Sequence, residues 1–339
     1  MPTTVTSSIG TGGGRTYSTI SAWEDATDVN LVTADQVQVG ECYNDSAFSE
    51  QVVMAGATVD ATRYRHLTVA AGHSFVDHAD RLTNPLRYDQ SKGVGIALAS
   101  GYINGIIEST EAYFRLSRFQ INYTGSNGGS VYFGADNCLI SQCIIESTDT
   151  SRAVVNLAGA SSGNCEINNS IVVRRASSSA VMISIFVAGL AQNCTFVVPS
   201  SISANATCVG ASYPSAITYR NCAFFGFTDV GTTTGHTYTN CRANDASPPS
   251  GVTTTTYDTS TGSGFENTTD ATRDFRIKST SALVNAGSAT GAPSVDIVGT
   301  SRPQGAAVDI GAWEYSSAAV AASLLARNLM QRVPALRLR

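Results

Sequence analysis

Gln142-Cys143-Ile144-Ile145, Asn169-Ser170-Ile171-Val172-Val173, Asn193-Cys194-Thr195-Phe196-Val197-Val198 and Asn221-Cys222-Ala223-Phe224-Phe225 are four copies of one phrase. Each passes from a polar residue through Cys or Ser into a short, mostly apolar run. A degraded copy, Asn240-Cys241-Arg242, closes the series, and Arg118-Phe119 is a looser one 24 residues before Cys143. Between successive Cys/Ser positions the steps are 27, 24, 28 and 19 residues. Self-similarity at this period, built from β-branched runs too short to bury both faces alone, indicates a stacked solenoid. Coils stacked at about 4.8 Å would pair each run with its copies above and below. Cys143, Ser170, Cys194 and Cys222 then form a buried interior column. Asn169, Asn193 and Asn221 form a ladder in which each side-chain amide bonds the next coil. A β-sandwich would have to repeat the Asn-Cys pair in phase by chance.

The composition agrees. The chain has 339 residues, of which 14% are charged and 42% hydrophobic, with 30 glycines. Few charges and abundant Ser, Thr, Gly and Val suit an all-β chain with many turns and disfavour a helical bundle. A net charge of −5 offers no footprint for nucleic acid. Eight cysteines that repeat in phase, with Cys138 and Cys165 at a second phase, need no disulfides. No CxxC pair suggests zinc. The N-terminus carries no signal-peptide pattern and no run reaches membrane-span length, so synthesis in the host cytoplasm without a signal peptide is expected, and no membrane partner.

Along the chain, residues 1–15 read as a flexible start. Tyr17, Ile20, Trp23 and Ala26 fall at three-residue spacing behind Ser18 and Thr19, which predicts a helix over 18–29 laid over the first coil to cover its raw strand edge. Residues 1–30 are thus start and cap, 31–315 the solenoid, and 316–339 a separate tail. The tail carries four of the chain's 21 basic residues and none of its 26 acidic ones. Val320, Leu324, Leu325, Leu329 and Val333 form an apolar stripe at helical spacing that Pro334 ends. The stripe suits either a helix folded over the last coil or an attachment arm that uses Leu324, Arg327, Leu329, Arg332, Arg337 and Arg339.

The sharpest phrase lies near the C-terminal end. Asp274-Phe275-Arg276-Ile277 and Ala282-Leu283-Val284-Asn285-Ala286-Gly287 lead to Asp296-Ile297-Val298-Gly299, Arg302-Pro303 and Asp309-Ile310-Gly311-Ala312-Trp313-Glu314-Tyr315. This resembles the closing segment of right-handed parallel β-helix proteins of the pectate-lyase-like superfamily, of the kind encoded by bacteria and tailed phages. Asn285 stands where those have Asp, and Ala282-Leu283 where they have Pro-Ala. The resemblance implies an all-β, single-stranded right-handed parallel β-helix with an N-terminal capping helix and a short helical tail. At about 25 residues per coil, residues 31–315 would make roughly eleven coils, a rod on the order of 50 Å long.

Catalytic signals are thin. Arg276-Ile277-Lys278 resembles an element of pectin-hydrolysing glycosidases, but the paired aspartates those enzymes need are missing and Gly235-His236-Thr237 replaces their Gly-His-Gly turn. Glu146 and Asp149 read as turn residues. His73, Asp77, His78, Asp80 and Arg81 are the densest titratable cluster, and a polar surface loop accounts for them more simply than a metal or catalytic site. Tyr213, Tyr219, Phe224, Phe225 and Phe227 form an aromatic cluster of which some could stack on sugar rings, while Phe224 and Phe227 read as core or groove filling. The expectation is a phage virion protein, a surface-displayed capsid decoration or fibre-like accessory, without catalytic residues, cofactor or metal. Its partners would be other virion proteins of capsid or tail, its own copies in a homotrimer, or a cell-surface polysaccharide. The alternative is a polysaccharide-binding or -degrading β-helix, a tailspike-like depolymerase, lyase or glycosidase.

Overall fold

The computed structural model describes the chain except residues 100–103, 160–163, 179, 186–188, 204, 211–216, 232–234 and 318–339. Strands of two to seven residues recur in a cycle, and a full cycle supplies one strand to each of three parallel sheets. One cycle runs Leu139–Ser141, Ile144–Ser147 and Val155–Leu157, and the next begins at Cys165–Asn168. These three sheets have nine, eight and six described strands, beside two two-stranded sheets. This is a parallel β-helix.

Register between coils is set by the interior. Leu67, Leu116, Ile140, Ile167, Ala191, Tyr219 and Tyr238 lie over one another on the nine-stranded sheet. Ile96, Ile121, Ile145, Val172, Phe196 and Phe224 do so on the eight-stranded one. Val52, Ile107, Val131, Val155, Ile183 and Val209 form the third column. All belong to one buried core. Phe196 stacks on Phe224 at 5.3 Å and Tyr219 on Tyr238 at 5.1 Å. A one-residue slip would turn each column outwards, which is why the register holds.

The repeated phrase is the corner between the nine- and eight-stranded sheets. Arg118, Gln142, Asn169, Asn193, Asn221 and Asn240 all have φ between 44° and 69°. Asn is the residue that tolerates this left-handed conformation best after glycine. The next residue, Cys or Ser, turns inwards. Cys194, Cys222 and Cys241 each direct the thiol to a carbonyl of the preceding coil, at Ile167, Ala191 and Tyr219. Ser170 accepts from the Cys143 amide at 3.1 Å. All eight cysteines are free and buried.

The corner amides depart from the expected ladder. Asn221 Nδ2 reaches Asn193 Oδ1 at 3.2 Å. Most of the bonding goes instead to carbonyls of the closing segment: Gln142 to Asp296, Asn169 to Val295, Asn193 to Asp309 and Asn221 to Ser288. The cause is the second correction. The closing segment does not continue the helix but runs back along the outer face of the eight-stranded sheet. That face carries Ile144, Ile171, Val173, Val197, Ala223 and Phe225. Phe265, Phe275, Ile277, Leu283, Ile297, Ile310, Ala312 and Trp313 cover it, joined by Phe75, Val76 and Leu86 from the excursion at residues 70–94. Burial of this apolar area is worth roughly 25 cal/mol per Å². The described coils therefore number nine, by the nine-stranded sheet, rather than eleven. Eight steps of about 4.8 Å make a stack on the order of 40 Å long.

Three further expectations are corrected. The supposed flexible start contains strand Thr3–Ile9, which pairs along its whole length with Gln36–Cys42 and forms one end of the nine-stranded sheet. The helix is shorter than expected, Ile20–Ala26, capped by Thr19 Oγ1 on the Ala22 amide. It buries Ile20 and Trp23 and lies against Val52–Met54, and Arg65 ties its Glu24 to Glu111. Glu146 is not in a turn but in strand Ile144–Ser147, buried under the closing segment and paired with Arg273.

Candidate binding face

With the eight-stranded sheet covered, the outer face of the nine-stranded sheet is a broad open surface among the described residues. Its strands are short, so two outward residues per strand make two rows. One row reads Val39, His66, Arg115, Leu139, Glu166, Leu190, Thr218 and Thr237. The other includes Glu41 and Thr68 on adjacent strands, then Ser117, Ser141, Asn168, Gln192, Arg220 and Thr239. Apolar side chains at Val39, Leu139 and Leu190 thus sit among hydroxyls, amides and charges of both signs. Two depressions follow the first row. One of about 260 Å³ is lined in part by Tyr113, Arg115, Asn137, Leu139 and Glu166. The other, about 400 Å³, is lined in part by Asn164, Glu166, Leu190, Thr218 and Arg220.

The side chains are preorganised by one another. Ser141 Oγ donates to Asn168 Oδ1 at 2.6 Å, and Asn168 Nδ2 to Glu166 Oε1 at 2.8 Å. Arg115 donates to the Asn137 carbonyl at 2.6 Å, with its guanidinium 5.2 Å from the Tyr64 ring centroid. Ser117 Oγ lies 2.8 Å from both His66 Nε2 and Thr68 Oγ1. Burial, with Arg115 nearby, pushes the His66 imidazole down to about 4, so it is neutral at pH 7. At the far end, Gln192 and Arg220 meet the backbone of Thr290 and Gly291.

Glu41 and Glu166 are the carboxylates of the two rows. Four strand spacings separate their strands, about 19 Å, far beyond the roughly 5–9.5 Å of a glycosidase pair. Among the described residues no three His, Cys, Asp or Glu side chains converge as metal ligands.

A larger depression, about 620 Å³, lies beside the six-stranded sheet. Asn104, Asn127, Ser151, Arg152, Asn156 and Ser184 are among its lining residues. Only Asn156 and Ser184 stand on strands there, so it is framed mainly by turns.

The titratable residues between His73 and Arg81 make separate local contacts. Asp77 pairs with Arg118 and accepts from the Gly72 amide. Asp80 pairs with Lys92, and His78 accepts from the Asp80 amide. His73 accepts from the Asn44 amide with its ring against Tyr43, while Arg81 opens a single 3₁₀ turn. Tyr219, Phe224 and Phe227 are interior, and Phe225 is under the closing segment. Tyr213 and the arm residues Leu324, Arg327, Leu329, Arg332, Arg337 and Arg339 lie outside the described residues. The His66–Ser117 contact escaped the sequence reading. Alternation around Leu67 and Leu116 marks both as outward, but they are 51 residues apart, and only the coil register joins them.

No protein-family model matches the chain, and no curated protein matches it. Among solved structures, it is similar to the deglycosylated pectin methylesterase from Aspergillus niger. There the identity is 12%, the TM-score 0.42, and 85% of this chain and 94% of that one are covered. It is also similar to pectate lyase Pel9A, at 10% identity and a TM-score of 0.37, covering 93% and 97%. Neither likeness bears on the activity of this chain.

Proposed function

We propose that the protein binds a polysaccharide lengthwise along the open face of its nine-stranded sheet. The observation that carries this reading is the mixed chemistry of that face. Sugar rings present apolar C–H faces edged by hydroxyls. Leu139 and Leu190 supply apolar platforms, while Ser141, Asn168, Glu166, Thr218 and Arg115 supply donors and acceptors. Rows repeating at the strand spacing suit a polymer rather than a compact ligand. Charges of both signs favour a neutral or mildly charged glycan over a polyanion. Display on a virion rests on the basic tail, outside the described residues, and on no described contact.

Titration calorimetry against neutral, acidic and O-acylated polysaccharides tests the reading. Saturable binding is expected, weakened about tenfold or more in Glu166→Ala and Leu139→Asp, in line with the cost of truncating a well-placed interface residue. Affinity unchanged in both variants would remove the glycan from this face.

A further inference from the structure

We propose that Ser117 and His66 form a nucleophile–base dyad that cleaves acyl esters carried by a glycan on this face, a role that rests on the binding reading above. The hydroxyl and Nε2 are 2.8 Å apart, within reach for proton transfer. Thr68 Oγ1 is also 2.8 Å from Ser117 Oγ; with Thr68 as the donor of that pair, Ser117's own proton is left for His66. Both strands are pinned from within, by Leu67 and Leu116, which are fully buried register partners. Nucleophile and base therefore sit on rigid elements. Arg115 is the register partner of His66 and supplies positive charge beside the site of a developing oxyanion.

The step balances without a co-reactant other than water. Ser117 Oγ attacks the ester carbonyl carbon and passes its proton to His66 Nε2. The bond from acyl carbon to sugar oxygen breaks, and the sugar leaves as an alcohol with the proton from His66. Water then attacks the acyl-serine, giving its proton through His66 back to Ser117 Oγ and releasing the carboxylic acid. Among the described residues no carboxylate is hydrogen-bonded to His66, and Glu41 is the acid of the neighbouring strand, beside Thr68.

The full chain is incubated with p-nitrophenyl acetate and with an O-acetylated polysaccharide, and acetate release is followed. A fluorophosphonate probe is mapped by mass spectrometry in parallel. Release above buffer and an adduct at Ser117 are expected. Ser117→Ala and His66→Gln should each lose about a hundredfold or more, while Ser91→Ala, an exposed hydroxyl in the Gln90–Lys92 turn of the excursion at residues 70–94, retains activity. Circular dichroism checks that the variants fold. No release, release undiminished in Ser117→Ala, or an adduct elsewhere overturns the dyad. Binding of the deacetylated polysaccharide reads the face separately. Binding without release rejects the dyad and keeps the face, whereas ester cleavage without binding does the reverse.

Discussion

An asparagine at positive φ does two things at three successive corners, Asn169, Asn193 and Asn221. Its backbone makes the bend that most residues resist, and its amide reaches out to clamp the returning closing segment. The clamp's other half is a buried charged cluster. Arg302 pairs with Glu314 at 2.7 Å and holds the Gly311 and Ala312 carbonyls. Asp296 accepts from the Val298, Thr300 and Glu314 amides, and Asp309 from Asn285 and Tyr315. Burial raises Asp296 to about 6, and burial with the Glu314 charge raises Asp309 to about 7. Between roughly pH 4, where an unfolded aspartate titrates, and these values, the folded chain holds protons that the unfolded chain has released. Stability from these two groups is therefore present at low pH and falls as pH rises to 7. His66 acts oppositely, but only below about pH 6.5. Thermal midpoints should thus decline from pH 6.5 to 8, and Asp309→Asn should flatten that decline. A wild-type midpoint that rises across this interval would contradict the assignment.

At the scale of elements, one sheet differs from the others. Strands of the nine-stranded sheet alternate, as in Arg115-Leu116-Ser117, whereas Ile171-Val172-Val173 and Ala223-Phe224-Phe225 are apolar at every position. Such runs belong to strands buried on both faces. The pattern stands in the sequence, but nothing in it names the segment that provides the cover. Phe225 packs against Tyr257 and Phe265 at 5.5 Å each, and Glu146 is neutralised there by Arg273. Phe225→Ala should cost about 3–5 kcal/mol and release the closing segment, so that limited proteolysis cuts within 257–315 first. Phe224→Ala, in the interior, should cost a similar amount without that selective cleavage. Identical digestion patterns for the two would show that the cover is not held at Phe225.

For the whole molecule, the closing segment makes a stack of coils into a body with one covered flank and one open one. Its Gly311, at φ 98°, brings the backbone so close that a Cβ would lie 2.7 Å from Thr195 Oγ1, which accounts for the glycine in that phrase. Among the described residues its last anchors are Trp313 and Glu314, both buried, and Tyr315, whose amide Asp309 accepts. A chain ending at Ser317 keeps these anchors and serves as the reference in calorimetry. One ending at Gly287, which strips the outer cover from Ile144, Ile171 and Val197, should melt lower and aggregate. Equal melting of the two truncations would show that the flank needs no cover.

The sequence by itself determined the coil period, the left-handed corner with its asparagines, the thiols behind it and the interior columns. Each is local, repeating every coil and written in side-chain size and backbone preference. Only the tertiary structure decided which sheet is covered, where the closing segment runs, that Thr3–Ile9 joins the first rung, and that Ser117 meets His66. Those outcomes depend on which distant segment returns to an apolar face and on the register between strands. A chain read one residue at a time carries the need for such contacts, and packing selects the partner.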